Sequence, residues 1–291
     1  MTPRSVDFTK ITWHLNTEHR HPFGPVSPDP ERSDPIGFPP PWPDRPWIYA
    51  VMVASANGVV AWRRAGVGDD PVLAILGGDR RRPARVADKQ LLRFLRCFGD
   101  VAVGAETVRT QPELLLSPQQ PSDEPAPELF AFRERAGLPR QPRNVVYSPS
   151  GRLPLTHRIF TTPGVDPLVV TTPAGEVALR RQAGSAPPPP TVVADLAEAG
   201  GLRHAHARLF AAHGVRYLDC EGGQTVLEAL HGAGLLDEVF LTVTPFVIDE
   251  AAHVGLLKIF DFEAERADLL AEGRTAADET WVFRRWRFNH R

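Results

Sequence analysis

The stretch YLDCEGGQTVLEALHGAGLLDEVFLTV, Tyr217 to Val243, decides the fold. An apolar run, Tyr217 to Cys220, stops on an acid and two glycines. Apolar residues at helical spacing then start at Gln224, and a second apolar run follows from Glu238. The order is strand, helix, strand, with almost nothing between the first strand and the helix. Gly222 and Gly223 put free N–H groups and no side chain at that junction. Such a turn either binds phosphate through backbone donors and the helix dipole, or is a tight connection with no ligand. It is not a Rossmann fingerprint, because G-x-G-x-x-G is absent from the chain.

The alternation continues outward. WIYAVMVA from Trp47 reads as a strand buried on both faces. VADKQLLRFLRCF reads as a helix stopping at Gly99, and DVAVG as a short buried strand. ELFAFRERAG, Ala174 to Gln182, and LRHAHARLFAAHG read as further helices. RNVVYS, PLVVTT, VRYLDC, EVFLTVTPFV and WVFRRWRF read as strands. This predicts an α/β fold with a mixed, mostly parallel central sheet, an antiparallel edge and helices on both faces. Ser117–Pro127 and Ala183–Pro190 read as surface insertions. Residues 1–44 form a proline-rich arm, extended or disordered, ahead of a main domain over 45–291. Trp13, Phe23, Phe38 and Trp42 suggest that the arm lies along the body.

Composition removes several function classes. A charged share of 23% and a formal net charge of -2 give no basic field for nucleic acid or anionic lipid. No apolar run approaches the ~20 residues of a membrane span, and MTPRSVDFTK lacks the apolar core of a signal peptide. A cytoplasmic protein is expected. Cys97 and Cys220 read as buried thiols in a reducing compartment. His14, His19 and His21 read as solvent-exposed rather than as a metal site, and no metal is expected.

Two further strand ends resemble the first. In VGAETVR, Gly104 would let a ligand approach, and Thr107 either caps a helix or meets a phosphate. In NVVYSPSGRL, Ser148 opens a turn.

These blocks carry a resemblance. VMVASANGVVA, LLRFLRCFGDVAVGAETV, RNVVYSPSGRLPLTHRIF and LDCEGGQTVLEALHGAGLLDEVFLTVTPFVI follow the order and approximate spacing of the riboflavin-pathway pyrimidine reductases. Those enzymes form the reductase half of a bifunctional deaminase-reductase and share a dihydrofolate reductase-like fold. The resemblance runs from about Arg45 to Arg291. It implies an NADPH-dependent reductase that turns a ribosylamino pyrimidine phosphate into its ribitylamino form. By resemblance, Gly222, Gly223, Gln224 and Thr225 contact the cofactor, Gly104 and Thr107 border its groove, Ser148 meets the adenosine end, and Ala54 meets the nicotinamide side. Arg96 matches a substrate arginine, with a solvated helix arginine as the alternative. Glu221 matches a family acid and is either a catalytic carboxylate that stabilises positive charge at the imine nitrogen or an acid that holds the backbone of the turn. Ser55 and Asn57 fall on the substrate side, and the family commonly forms homodimers. EVFLTVTPFV and WVFRRWRF, read as uncovered edge strands, point the same way.

The substrate half departs from the family pattern. Ser55-Ala56-Asn57-Gly58 stands where the family reads Ser-Leu-Asp-Gly, and Thr110 and Gln111 replace two aspartates. Arg109 is the candidate for a missing arginine, and Asp249 and Glu250 replace a glycine pair. H-x-E with P-C-x-x-C does not occur, so no zinc deaminase half is expected. A reductase of another small heterocycle, and a non-catalytic nucleotide-binding homologue, are the competing readings.

Overall fold

The computed structural model describes residues 10–16, 36–63, 70–121 and 123–290. His19, His21 and Phe23 lie outside the described residues. In chain order the elements are β1 Thr12–Asn16, β2 Trp47–Ala54, β3 Val59–Ala61, α1 Pro71–Leu76, α2 Pro83–Leu95, β4 Asp100–Gly104 and α3 Ala105–Thr110. Then come α4 Pro127–Arg135, β5 Asn144–Tyr147, α5 Arg158–Thr161, β6 Pro167–Thr171, α6 Pro173–Ala183, β7 Thr191–Val193, α7 Ala199–His213, β8 Tyr217–Cys220 and α8 Gln224–Gly232. Last are β9 Glu238–Val243, a 3-10 turn Glu250–Ala252, β10 Leu257–Lys258, β11 Asp268–Thr275 and β12 Asp278–Arg287.

The chain divides into two compact units, 41–50 with 93–236, and 1–40 with 51–92 and 237–291. The first unit is a parallel sheet in the order β2-β8-β4-β5-β6-β7, using the first half of β2. Its strands are near-continuous Val, Ile, Leu and Ala runs, as burial on both faces requires. Val101, Val103, Val146 and Val169 share a core with Val108, Ile159 and Leu179 from α3, α5 and α6. Successive strand residues point to opposite faces. Accordingly Tyr147, next to Val146, reaches α7, where its hydroxyl lies 2.8 Å from His206 Nε2. Helices therefore cover both faces, as expected. Gly214 ends α7 in the left-handed conformation, φ 70°.

The second unit follows the order β1-β11-β12-β9-β2, using the second half of β2, and its β1–β11, β11–β12 and β12–β9 pairs are antiparallel. A small sheet pairs β10 with β3. Four differences from the sequence reading arise here. First, β9 and β12 are not edges: β12 lies between β11 and β9, and β9 between β12 and β2. The argument for pairing through an uncovered β9 or β12 therefore fails.

Second, β11 was not anticipated. Its mixed alternation, DLLAEGRT, gives a weaker signal than the aromatic run of β12 that it pairs with. Third, the described residues of the arm include a strand that the sequence reading did not anticipate, Thr12–Asn16, which pairs with β11. Gly37 O accepts from Arg285 Nη2 at 2.6 Å, and Phe38 packs edge-on to Phe240 at 6.0 Å. Beneath lies a buried trio in which Glu238 takes Arg285 Nε at 2.6 Å and Arg287 Nε at 2.8 Å.

The fourth difference belongs to the parallel unit. The segment from Ser117 begins buried rather than as a surface insertion. Arg93 Nε donates to Pro118 O at 2.8 Å, and the Asn144 amide clamps Leu116 at 3.0 Å. Ala183–Pro190 is largely exposed, as expected.

Both cysteines are buried, and among the described residues neither forms a disulfide. Burial pushes the Cys220 thiol up to about 12. Among the described residues no helix is long and apolar enough to cross a membrane.

Candidate functional site

Parallel register places the carboxyl ends of β8, β4 and β5 side by side. Ala102 pairs with Cys220, Gly104 pairs with Tyr147, and Glu221 N donates to Ala102 O at 2.8 Å. Crevices at such strand ends are where open α/β sheets bind ligands. Gly104, Ser148, Glu221, Gly222 and Gly223 are thus brought to one edge by topology alone.

The glycines differ in kind. A Cβ on Gly222 would meet Val226 Cβ at 2.9 Å, and one on Gly104 would meet Val226 Cγ2 at 3.3 Å. Packing of α8 against these strand ends therefore requires a small residue at Gly222. A Cβ on Gly223 would meet nothing within 4 Å. Gly223 is the N-cap of α8 and supplies no side-chain cap. The first-turn N–H groups of a helix lack intrahelical partners, and here they begin beside an exposed glycine. Thr225 is exposed on this turn. Gln224 is 3% exposed and its Oε1 has no partner, while its Nε2 donates to Glu228 at 3.2 Å. An open N-cap and uncapped backbone donors fit a phosphate group, whereas Gln224 Oε1, an acceptor, does not itself contact one.

Thr107 does not cap a helix. Gly104 is the N-cap of α3, and Thr107 lies inside it, half-buried. Ser148 is fully buried, and among the described residues its Oγ has no hydrogen-bond partner. Its carbonyl accepts from Gly151 N at 3.0 Å, closing the expected turn.

Arg96 is neither solvated nor helical, since it follows the last residue of α2 and is 2% exposed. Its Nε and Nη2 meet Glu221 Oε1 and Oε2 at 2.5 and 2.6 Å, and Nη1 donates to Ser117 O at 2.9 Å. A substrate phosphate could reach this guanidinium only by displacing one of those partners. Burial, the largest single effect, lowers the guanidinium pKa, but the charge and hydrogen bond of Glu221 together with the Asp219 and Asp123 charges outweigh it, and the net direction is up. Arg109 is exposed and pairs with Glu106 at 2.8 Å.

Asp219 was not among the candidate residues, because it lies within a run read as an apolar strand. It is fully buried on β8, and among the described residues neither carboxyl oxygen has a hydrogen-bond partner. Burial first, and the Glu221 charge second, raise its pKa well above the usual carboxylate range, while Arg96 pulls it down. The available signal was an acid inside a buried parallel strand.

Ala54, Ser55 and Asn57 belong to the antiparallel unit. Ala54 is buried and its carbonyl accepts from Thr244 N at 2.8 Å. Ser55 is buried, and its hydroxyl accepts from Val59 N at 2.9 Å and donates to Asn57 Oδ1 at 2.8 Å. Gly58, φ 78°, allows that turn. Asn57 Nδ2 donates to Ile248 O and to Glu250 Oε1, each at 3.0 Å. In the same unit Asp88 on α2 interacts with the Thr242 hydroxyl, which reaches no standard hydrogen-bond geometry. Burial pushes the Asp88 carboxyl up to about 6, against Thr242 and Arg85.

Comparison with known proteins bears on this arrangement. A family model described as the RibD C-terminal domain matches residues 70–257. A pyrimidine reductase-like protein from Corynebacterium diphtheriae is 21% identical with a TM-score of 0.60, over 85% of this chain and 94% of that one. Acinetobacter baumannii RibD is 20% identical with a TM-score of 0.57; the match covers 85% of this chain but only 59% of that one. The Saccharomyces cerevisiae riboflavin biosynthesis reductase Rib7 is 11% identical with a TM-score of 0.51, over 84% and 90% of the two chains. At these identities the likeness is one of fold. No curated protein gives a significant match. The family model spans the glycine turn, the Arg96–Glu221 pair and the β4 and β5 strand ends, and the chain belongs to the RibD C-terminal domain family.

Proposed function

We propose that this protein is a cytoplasmic, NADPH-dependent reductase of the riboflavin pathway. Its substrate would be a pyrimidine ribosylamino phosphate, reduced to the ribitylamino form. The observation that carries the reading is Gly223, an exposed, uncapped helix N-cap with open space where a side chain would stand, at the end of the strand that bears Glu221. Gly223, Gln224 and Thr225 would hold the cofactor pyrophosphate, with Gly104 keeping the neighbouring strand end clear. Thr107 and Ser148 border the same edge. Contact with Ser148 Oγ requires a local opening, since that atom is buried.

When bound, NADPH supplies a hydride to the carbon of an open-chain imine, and a proton from solvent completes the amine. Glu221, fixed by two contacts to Arg96, is a positioned negative charge. It would favour the cationic character that develops at the imine nitrogen. It is not placed to supply a proton, because both its oxygens face the guanidinium.

A second reading, a reductase of another small heterocycle, draws on the substrate half. There Ser55 is engaged internally and Asn57 replaces an acid. The homodimer now rests on the family resemblance alone, and light scattering decides it. An absorbance assay of NADPH oxidation with the ribosylamino pyrimidine phosphate tests the main reading. Turnover supports it, and cofactor binding without turnover of that substrate favours the second.

A further inference from the structure

A second acid lies behind Glu221 inside the parallel unit, with no role in the scheme above. Asp219 is fully buried in β8, and among the described residues neither of its oxygens has a hydrogen-bond partner. Glu221 N continues the β8 ladder onto Ala102 O at 2.8 Å. Alternate residues of a strand share a face, so Asp219 and Glu221 point the same way. Register sets Tyr49 of β2 and Val101 of β4 on either side of Asp219. These residues and Arg96 all belong to one compact unit.

The donors around Asp219 are committed elsewhere. Tyr49 Oη donates to Leu95 O at 2.7 Å. Arg96 directs Nε and Nη2 at Glu221, and Nη1 at Ser117 O at 2.9 Å. Arg133 of α4, whose charge reaches Tyr49, directs Nε at Pro139 O and Nη1 at Arg96 O and Gly99 O. The titratable groups that feel the Asp219 charge are Tyr49, Cys220, Arg96 and Glu221. A buried carboxylate with no donor is costly, and such a group takes up a proton instead. Where two acids share one site, one of them holds the proton. The geometry says which: Glu221 has the guanidinium, and Asp219 has no donor for a charge.

We propose that Asp219 is the positioning residue of the Arg96–Glu221 pair: held as the neutral acid, it leaves the guanidinium to Glu221 alone. With Asp219 ionised, two carboxylates compete for one guanidinium, and Glu221 loses its fixed orientation. Loss of the Asp219 proton thus sets an alkaline limit on the pair. Its folded pKa lies above the ordinary 3.8, so its contribution to stability is complete below 3.8 and is lost as pH rises through the folded midpoint. The consequence for turnover rests on the reductase reading above.

The test uses the full chain with its aspartate carboxyl carbons labelled and followed by NMR as pH is raised. Wild type should show an aspartate carboxyl that is still protonated at pH 7 and is absent from Asp219→Asn. Glu221→Gln removes the like charge and leaves Arg96 facing Asp219, so the midpoint of that carboxyl should fall by about one unit or more. Turnover is read as NADPH oxidation with the ribosylamino pyrimidine phosphate. Wild-type kcat should drop about tenfold once Asp219 ionises, with KM little changed. Asp219→Asn should keep its own kcat flat across that range. Asp219→Leu, also uncharged, should behave alike and serves if the amide variant does not fold. An Asp219 carboxyl ionised at pH 7, a midpoint indifferent to Glu221→Gln, or one kcat–pH profile shared by wild type and the variants overturns the assignment while the reductase reading stands. Wild type that does not turn over this substrate removes the reductase reading, and the midpoint with its response to Glu221→Gln then decides the inference by itself.

Discussion

Arg96 and Glu221 hold each other by two parallel contacts, 2.5 and 2.6 Å, with the arginine buried and the acid nearly so. The pair joins the end of α2 to the end of β8. Breaking it leaves an unpaired charge in a dry setting, which costs about 3 to 5 kcal/mol. Arg96→Ala should therefore lower the urea midpoint strongly, before any effect on substrate is considered. Replacing both partners, Arg96→Met with Glu221→Leu, should recover much of that loss. A stable Arg96→Ala variant with a raised KM alone would return Arg96 to the substrate side.

The two glycines of the turn should separate cleanly. Gly222→Ala forces a Cβ against Val226 at 2.9 Å and should destabilise the protein by about 1 to 3 kcal/mol. The Cβ of Gly223→Val meets nothing within 4 Å, so the change should leave the melting temperature near wild type while weakening NADPH binding at least tenfold by calorimetry. Unchanged cofactor affinity in Gly223→Val would place the pyrophosphate elsewhere.

Asp88 makes stability depend on pH. Its folded carboxyl titrates near 6, above its ordinary value of 3.8, so the folded state binds its proton more tightly than the unfolded state does. The contribution is fully present below pH 3.8 and is lost as pH rises through 6. Because Asp88 is only half-buried, the penalty at pH 7 is about 1 to 2 kcal/mol rather than the full shift. Asp88→Asn should therefore stabilise the protein at pH 7 to about that extent and flatten the stability profile between pH 4 and 7. A wild-type profile in the variant would mean that the carboxyl is not desolvated.

Phe38 tests whether the arm is part of the fold. It is 2% exposed, lies edge-on to Phe240 and lies 5.1 Å from the Arg285 guanidinium. Phe38→Ala should cost about 3 to 5 kcal/mol. A neutral effect in denaturant melts would show that residues 36–38 are dispensable.

Much of the fold was legible because it is written locally. The buried Val, Ile and Leu runs of β2, β4, β5, β6 and β8 read as strands, and the 3.6-residue spacing of α2, α7 and α8 reads as helices. The Gly222-Gly223 junction is legible for the same reason, since backbone freedom belongs to the residue itself. Short elements such as α1, α3, α5 and β3 carry too few residues to show a period. The strand β1 was hidden beside proline-rich sequence.

What only the tertiary structure decided is the use to which side chains are put. Sequence alone left Arg96 between a substrate contact and a solvated arginine, and it became the buried partner of an acid 125 positions away. Asn57 read as the loss of a charge, whereas the charge stands beside it on Glu250, 193 positions on. β9 and β12 read as edges and lie in the interior of a sheet, because β11 and β2 flank them. A residue's period and backbone freedom are properties of its own neighbourhood in the chain. Its partner, its burial and hence its charge state depend on segments that only folding brings together, and no local pattern records them.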